Sequence, residues 1–270
     1  MAMDQDKSRQ IITSSDNSHL KLMRSLSRRK ARRAERAFLL EGRRLIVDAM
    51  HTGVDIRTVL IRDDVDPSHV SDFRKHGIAV STVSADVFDQ SSSVEHSQGF
   101  AAICGMPEPA PPCLPEGFDL LILDQLRDPG NMGTALRSAA ASGISTVVVT
   151  PSSVDPFAPK VVRAGMGAHF RLRIGEFDAE WHSSLCTAGV QVVFADSHGD
   201  VDYDDFDWID PFVLVVGGET QEFSLALADL MTRSVRIPMA SNVESLNVAV
   251  AGSILMFEAA RQRRANARQG

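Results

Sequence analysis

An asparagine and an arginine follow a glycine turn at residues 127–143, which read RDPGNMGTALRSAAASG. The apolar run 120–123 precedes this stretch and three valines at 147–149 follow it, which predicts strand, turn, helix and strand. A dinucleotide-binding unit begins in this way, but it carries G-x-G-x-x-G and an acidic residue that closes the second strand. Here Gly130 and Gly133 give only G-x-x-G, and no acidic residue closes the second strand. A nicotinamide-dinucleotide site is therefore disfavoured.

The helix after the turn predicts where its polar side chains point. A helix that begins near Asn131 has an apolar stripe made of Met132, Ala135, Leu136, Ala139 and Ala140. Arg137 lies roughly 130° from the centre of that stripe, at about 100° per residue. We expect Arg137 to face solvent, a ligand or a second subunit. Asn131 stands where a helix N-cap would stand, so neither residue reveals chemistry by itself.

Two later stretches could supply the missing partners. The apolar strand predicted at 212–217 runs into Gly217, Gly218 and Glu219, and α/β sheets place ligands at the carboxyl ends of such strands. The two glycines would let a ligand lie against the backbone. In residues 237–251, IPMASNVESLNVAVA, Ser245 could cap the last helix. Asn247 would then fall in the first turn among apolar neighbours, where its amide needs a hydrogen-bond partner.

Positive charge is concentrated near the amino terminus. The formal net charge is −7, yet ten of the basic residues lie between His19 and Arg44, opposed only by Glu35 and Glu41. A helix predicted over about 17–33 carries most of them, which favours a local contact with a polyanion. The candidate contacts in this helix are Arg24, Arg28, Arg29, Lys30, Arg32 and Arg33.

A proline-rich segment predicts the domain organisation. Residues 106–117, MPEPAPPCLPEG, hold five of the twelve prolines, which neither a helix nor a central strand tolerates. We therefore expect a small α/β domain over 1–106, a linker over 107–117 and a second α/β domain over 118–270. Apolar strands in the second domain, predicted at 119–124, 146–150, 191–195, 212–217 and about 235–239, favour a parallel sheet covered on both faces. A final helix from near Ser245 is apolar all round and is expected to be buried on several sides.

Composition excludes several classes of protein. No apolar run approaches the ~20 residues that span a bilayer, and the polar start MAMDQDKSRQ lacks the apolar core of a secretory signal. The three cysteines, Cys104, Cys113 and Cys186, are unclustered and lack metal-ligand spacing. We therefore expect a cytoplasmic protein with no membrane segment and no metal site.

Three segments together resemble a known family. DPGNMGTALRSAAASG, VVGGE and IPMASNVESLNVAVAGSILMFE, in this order, resemble the three motifs of the SpoU/TrmH branch of the SPOUT RNA methyltransferases, and the resemblance covers about 118–265. The stretch LMRSLSRRKARRAERAFLLEG is similar to the substrate-binding domain of that family, which is related to ribosomal L30e-type proteins. RAGMGAHFR, residues 163–171, is typical of the members that act on ribosomal RNA.

The resemblance implies a deep trefoil knot in the parallel α/β domain, and an obligate homodimer with its active site at the subunit interface. It implies transfer of a methyl group from S-adenosylmethionine to a ribose 2′-hydroxyl, most readily in 23S ribosomal RNA, without a metal. The implied catalytic residues are Asn131, Arg137, Glu219, Ser245 and Asn247. The implied donor-binding residues are Gly217, Gly218, Ile237, Met239 and Leu246. Arg137 is either the base that takes the hydroxyl proton or a residue that binds the target phosphate through two hydrogen bonds. The second role is physically easier for a guanidinium.

One residue departs from the pattern, and alternatives remain. The second motif of the family usually reads G-x-E-x-x-G, whereas here Glu222 replaces the last glycine. A side chain at a turn with positive φ carries a steric cost, and Glu222 adds negative charge beside a site for RNA. A tRNA 2′-O-methyltransferase and a non-catalytic RNA-binding knot protein remain alternatives. The sequence leaves open the target nucleotide and whether its methylation protects against an antibiotic.

Overall fold

The computed structural model describes residues 11–114, 119–217, 223–240 and 242–269. The chain forms two compact units. The first contains the residues up to Met106 together with Phe157–Pro159, and the second contains Pro107–Pro156 and the chain from Lys160 onward.

The first unit is a four-stranded sheet with helices. In chain order its elements are α1 (Ser18–Ser25), α2 (Arg29–Glu35), β1 (Ala37–Glu41), α3 (Arg43–His51), β2 (Ile56–Arg62), α4 (Ser68–Lys75), β3 (Val80–Val83), α5 (Ala85–Ser91) and β4 (Phe100–Gly105). The strand order is β1-β4-β2-β3, with β2 and β3 parallel and the other pairs antiparallel. Its core packs Leu20, Met23, Leu39, Leu60 and Phe88 together. The small α/β fold expected here is present.

The single basic helix predicted over 17–33 is wrong, because the chain forms α1 and α2 with a break between them. Leu26 caps α1 and is fully buried. The buried guanidinium of Arg32 donates from Nη1 to the carbonyl oxygens of Leu26 (2.7 Å) and Ser27 (2.9 Å). These bonds satisfy carbonyl groups that a continuous helix would have paired with its own backbone.

The second unit is built on a seven-stranded sheet. Its elements are β5 (Leu120–Asp124), α6 (Pro129–Ser142), β6 (Thr146–Val149), α7 (Pro159–Gly165, in this unit from Lys160 onward), β7 (Arg173–Glu176), α8 (Ala179–Ala188), β8 (Gln191–Ala195), β9 (Val201–Asp202), β10 (Phe212–Gly217), α9 (Leu225–Ala228), β11 (Arg233–Arg236) and α10 (Val248–Asn266). A short 3-10 turn, Ala168–Phe170, lies between α7 and β7. The strand order is β7-β6-β5-β10-β8-β11-β9, and every neighbouring pair is parallel.

The parallel sheet predicted from the apolar strands is confirmed. One face packs Ile122, Val148 and Val215 against Trp181 and Leu227. β7 and β9 were not predicted, because RIGE and VD carry no apolar run. The strand order reverses beside β5, since β6 and β7 lie on one side of it and β10 and β8 on the other. Such a reversal creates a crevice at the carboxyl ends of the strands.

Helix α6 begins two residues before the predicted start near Asn131. Asp128 is its N-cap and accepts a hydrogen bond at Oδ1 from the Asn131 backbone N–H (2.8 Å), and Pro129 occupies the first helical position. Met132, Ala135, Leu136 and Ala139 are buried, whereas Arg137 is exposed. The predicted phase of this helix is therefore confirmed, although Asn131 is not its cap.

The last helix begins later than predicted and is buried on one side only. Its N-cap is Asn247, not Ser245. Small and apolar residues face the protein at Ala249, Gly252, Leu255, Met256 and Ala259. Val250 and Phe257 remain 45% and 44% exposed, so the predicted burial on several sides is wrong within one chain. None of the helices in the described ranges is long and apolar enough to cross a membrane.

Candidate functional site

The carboxyl ends of β5 and β10 meet at Asp124 and Gly217, which are paired in the parallel ladder. A Cβ atom at position 217 would overlap the backbone oxygen of Asp124 and lie 2.9 Å from its carbonyl carbon. Glycine at this position is therefore required by the close approach of the two strands. The prediction gave a different reason, namely room for a ligand against the backbone. Gly218, Glu219 and Glu222 lie outside the described residues.

Asp124 is a site residue that the sequence reasoning missed. Its side chain is completely buried, and Oδ2 accepts a hydrogen bond from the Ser224 backbone N–H (2.8 Å). Its other oxygen, Oδ1, is buried and has no hydrogen-bond partner among the described residues. Because an unpaired buried acceptor is costly, a ligand or loop group with a donor would be favoured there. The signal was present in the sequence, since Asp124 ends an apolar strand in the same way as Glu219 follows one.

Two of the predicted residues are in direct contact. Asn247 accepts hydrogen bonds at Oδ1 from the backbone N–H groups of Ala249 (3.0 Å) and Val250 (3.3 Å). Its Nδ2 donates to Oδ1 of Asn131 over 2.9 Å. The amide predicted to need a partner therefore has two, its own helix and the first turn of α6. A second contact between the helices joins the hydroxyl groups of Ser138 and Ser253 (2.6 Å).

Arg137 stands apart from this pair. It follows Asn131 by six positions on α6, which places it about 9 Å further along the axis and about 120° around it. Within the described part of the chain its guanidinium makes no hydrogen bond or ion pair. Ser245 is also exposed, two residues before the cap of α10. A single chain therefore brings Asn131 to Asn247 but leaves Arg137 and Ser245 open to solvent.

The predicted donor-binding residues lie along one segment. Ile237 and Met239 are half-buried and follow β11, and Leu246 is half-buried just before Asn247. Strands β10 and β8 lie between β5 and β11 in the sheet. At ~4.8 Å per inter-strand step, β5 and β11 are therefore about 14 Å apart. The segment thus connects the carboxyl end of β11 with the start of α10, which contacts α6 after β5. This path follows the edge where parallel sheets bind ligands.

One buried ionisable group beside α6, His169, serves the packing. His169 lies in the RAGMGAHFR stretch and is buried, and its Nε2–H donates to the Pro156 carbonyl oxygen (2.7 Å). Burial lowers the pKa of His169 to about 4. Gly165 lies against this imidazole, and Gly133 of α6 lies against the backbone of Ala164 and Gly165. The second glycine of the G-x-x-G pattern therefore permits contact between α6 and α7.

The six predicted RNA contacts divide into two groups. Arg24 donates to the Ser91 hydroxyl (3.0 Å) and the Ser15 carbonyl oxygen (2.6 Å), and Arg32 is buried as described above. Both therefore serve the fold of the first unit, and a direct contact from Arg32 to RNA is ruled out by its burial. Arg28, Lys30 and Arg33 are exposed and Arg29 is half-buried. The surface available to a polyanion is narrower than predicted.

The chemistry of the residues at the carboxyl edge of the sheet fits the binding of S-adenosylmethionine. Its sulfonium and ammonium carry positive charge, which the buried and half-satisfied carboxylate of Asp124 would favour. No group of three or more His, Cys, Asp or Glu side chains that could hold a metal ion occurs among the described residues.

Comparison with known proteins defines the class. Residues 120–257 match the SpoU rRNA Methylase family, and residues 17–102 match the MRM3-like substrate binding domain. The chain belongs to the SpoU rRNA methylase family.

Individual relatives extend over nearly the whole chain. The 23S rRNA (guanosine(2553)-2′-O)-methyltransferase of Bacillus subtilis is 30% identical, covering 91% of this chain and 97% of the relative. The AdoMet-bound rRNA methyltransferase from Sinorhizobium meliloti is 33% identical with a TM-score of 0.81, covering 93% and 97%. The AdoMet complex of the SpoU methyltransferase AviRb from Streptomyces viridochromogenes is 28% identical with a TM-score of 0.81, covering 92% and 98%.

Proposed function

We propose that this chain transfers a methyl group from S-adenosylmethionine to a ribose 2′-hydroxyl of 23S ribosomal RNA. The observation that carries the proposal is the hydrogen bond between Asn131 and Asn247, which joins the first and third motifs at the carboxyl edge of the parallel sheet. The names of the relatives, and the two AdoMet-bound structures, support both the reaction and the methyl donor. When bound, S-adenosylmethionine supplies an electrophilic methyl group on a sulfonium.

The residues of the chain have separate tasks in this proposal. Asn131 and Asn247 fix the start of α6 against the start of α10. The residues that hold the RNA and the residues that hold the methyl donor therefore keep a constant relative position. Arg137 projects from α6 with a guanidinium that no described residue pairs, and it would hold the phosphate beside the target ribose with two parallel hydrogen bonds. A phosphate oxygen so held can take the 2′-hydroxyl proton. This avoids deprotonating an arginine, a side chain that keeps its proton in proteins. Glu219 and Ser245 would complete the acceptor side.

The methyl donor would lie along the segment that follows β11. Backbone groups near Gly217, Gly218, Ile237, Met239 and Leu246 would bind it. The Asp124 oxygen that no described residue pairs would attract its positive charge. Because β11 lies beyond β8 and α10 returns to pack on α6 and β10, the chain recrosses the sheet edge. This return supports a knotted C-terminal segment.

A homodimer would complete the site. Val250 and Phe257 lie two turns apart on α10, and both expose nearly half of their surface, as does Val243 before the helix. Apolar side chains aligned on one helix face favour contact with another chain. A second copy packed there would lie close to Asn247, which caps the same helix, and could meet the exposed Arg137. The three free cysteines, none in a disulfide, support the cytoplasm as the compartment.

The first unit would supply the contact with RNA. It matches a substrate binding domain, and Arg28 and Lys30 expose positive charge on and beside α2. Phosphate contacts of this kind position an RNA without reading its sequence.

One experiment tests the function directly. The purified protein is incubated with ³H-methyl S-adenosylmethionine and unmodified 23S or 16S ribosomal RNA or tRNA, and 2′-O-methyl positions are mapped in the product. Stoichiometric methylation of one ribose in 23S RNA would support the proposal, and methylation of tRNA alone would favour that alternative. Binding of the methyl donor by calorimetry without transfer to any RNA would favour a non-catalytic RNA-binding protein.

A further inference from the structure

A cysteine, a histidine and an aspartate form a chain of contacts on α8, away from the sheet edge that holds the candidate site. The Sγ of Cys186 lies 3.8 Å from Nδ1 of His182, one helical turn earlier. Nε2 of the same imidazole lies 3.2 Å from both carboxylate oxygens of Asp229, the residue that ends α9. Helix α8 starts just after the carboxyl end of β7, and Cys186 lies seven residues further on, about 10 Å along the helix.

The geometry fixes the role of each ring nitrogen. A carboxylate can only accept hydrogen bonds, so Nε2 of His182 carries its proton toward Asp229. Nδ1 of the neutral imidazole is then an acceptor that faces the thiol of Cys186. Proton transfer from sulfur to Nδ1 yields a thiolate beside an imidazolium, and the Asp229 carboxylate stabilises that positive charge. A nucleophile, a base and an orienting acid in this order form the arrangement that activates thiols.

The same thiol is open to solvent. Cys186 is exposed, whereas Cys104 is buried, with a pKa raised by burial. Cys113 is exposed as well, but its sulfur contacts no histidine or acidic side chain within the described ranges. Exposure together with a base is the condition that makes a cysteine reactive.

We propose that Cys186 is a reactive thiol, activated by His182 and Asp229, and a site of modification by hydroperoxides and other soft electrophiles. In the oxidation the thiolate attacks one peroxide oxygen, so an S–O bond forms and the O–O bond breaks. The sulfur is oxidised to a sulfenic acid and the peroxide is reduced. The leaving alkoxide or hydroxide takes the proton that His182 received, which gives an alcohol or water.

The test compares two cysteines of one chain. The protein is treated with iodoacetamide at pH 7, and alkylation of Cys186 and Cys113 is followed by peptide mass spectrometry. A free thiol is only a few per cent ionised at this pH, so activation can raise the rate by at most about thirtyfold. We expect Cys186 to react about fivefold to thirtyfold faster than Cys113, because His182 lies within reach of its thiol proton.

Variants separate activation from simple exposure. His182→Gln should slow Cys186 to the rate of Cys113, and Asp229→Asn should slow it partly, while Cys113 keeps its rate in both. His198→Gln removes an exposed histidine elsewhere and should change neither rate. With hydrogen peroxide, dimedone should trap a sulfenic acid on Cys186 before Cys113. Equal rates for the two cysteines, or a Cys186 rate that His182→Gln leaves unchanged, would overturn the proposal, and neither result depends on methyl transfer.

Discussion

The side chain of Asn247 donates a hydrogen bond of 2.9 Å from Nδ2 to Oδ1 of Asn131, 116 positions away in the chain. The same amide caps α10 through Oδ1, which accepts from the backbone of Ala249 and Val250. One residue thus ends the segment that follows β11, caps the last helix and binds the first turn of α6. Its two functions use different atoms and can be separated.

Substitution of Asn247 should distinguish its cap from its contact with Asn131. Asn247→Ala removes both, and loss of the cap costs about 1 kcal/mol, which lowers the melting temperature by about 2–4 °C. Asn247→Asp keeps the acceptor for the cap but replaces the donor that faces Asn131. We expect Asn247→Asp to melt close to the wild type and to lose at least tenfold in methylation rate. Full activity of Asn247→Asp would show that the Asn131 contact is dispensable.

Arg137 should matter for transfer and not for the methyl donor. Because its guanidinium is exposed and unpaired among the described residues, Arg137→Ala should leave the fold intact. We expect the methylation rate to fall at least about 100-fold, because a ribose hydroxyl that Arg137 no longer positions loses its alignment with the methyl group. Calorimetry should give nearly unchanged affinity for S-adenosylmethionine. Arg264→Ala, an exposed arginine of α10, is the control and should change neither quantity; equal loss of affinity and transfer in Arg137→Ala would refute the assigned role.

Gly133 should tolerate no side chain. A Cβ atom there would overlap the Ala164 side chain and lie 2.9 Å from the Gly165 backbone nitrogen. Gly133→Ala should therefore lower the free energy of unfolding by about 1–3 kcal/mol, the cost of overpacking, despite the better helix propensity of alanine. Urea unfolding measures this change. Thr134→Ala, at the exposed neighbouring position, should not be less stable than the wild type, and similar stability of the two variants would contradict the close contact.

Arg28 and Lys30 should contribute to RNA affinity, whereas Arg32 should contribute to stability. Replacing both exposed residues by alanine should weaken RNA binding and reduce the slope of log K against log salt by about 1.5–2. Anisotropy titrations with a 23S RNA fragment at several salt concentrations measure the slope. Arg32→Ala should instead lower the free energy of unfolding by about 1–3 kcal/mol, because the buried carbonyl group of Leu26 and the part-buried carbonyl group of Ser27 lose their donor. An unchanged slope in the double variant would place the RNA surface elsewhere.

His169 should make the protein less stable in mild acid. Its pKa is about 4 when folded and about 6.5 in an unfolded chain, so the unfolded state binds the extra proton between these values. Stability is therefore full above about pH 6.5 and falls as the pH drops toward 4. At pH 5 this group should cost about 2 kcal/mol relative to neutral pH. His169→Gln can still donate to the Pro156 carbonyl oxygen but cannot titrate, so its urea midpoint should fall less between pH 7 and pH 5.

Local patterns predicted the elements and their phase. Unbroken apolar runs such as 120–123 and 212–216 are typical of central strands of a covered sheet, and the structure confirms them. The spacing of Met132, Leu136 and Ala139 fixed the outward direction of Arg137, because helix periodicity is a local property. Cap positions were predicted less well. The sequence predicted caps at Asn131 and Ser245, whereas the structure has them at Asp128 and Asn247. All four residue types are good caps, and only the hydrogen bonds select one at each helix.

What the sequence determined by itself was the class of the fold, the three motifs and the residue types available for chemistry, because these depend on composition and short-range spacing. Only the tertiary structure decided which side chains meet. It paired Asn131 with Asn247, buried Arg32, set Gly217 against Asp124, and placed Cys186 beside His182 and Asp229. The contact between Cys186 and His182 lies within one helix. The other contacts depend on strand order and on packing between different elements of the chain. No periodicity of a few residues encodes that information.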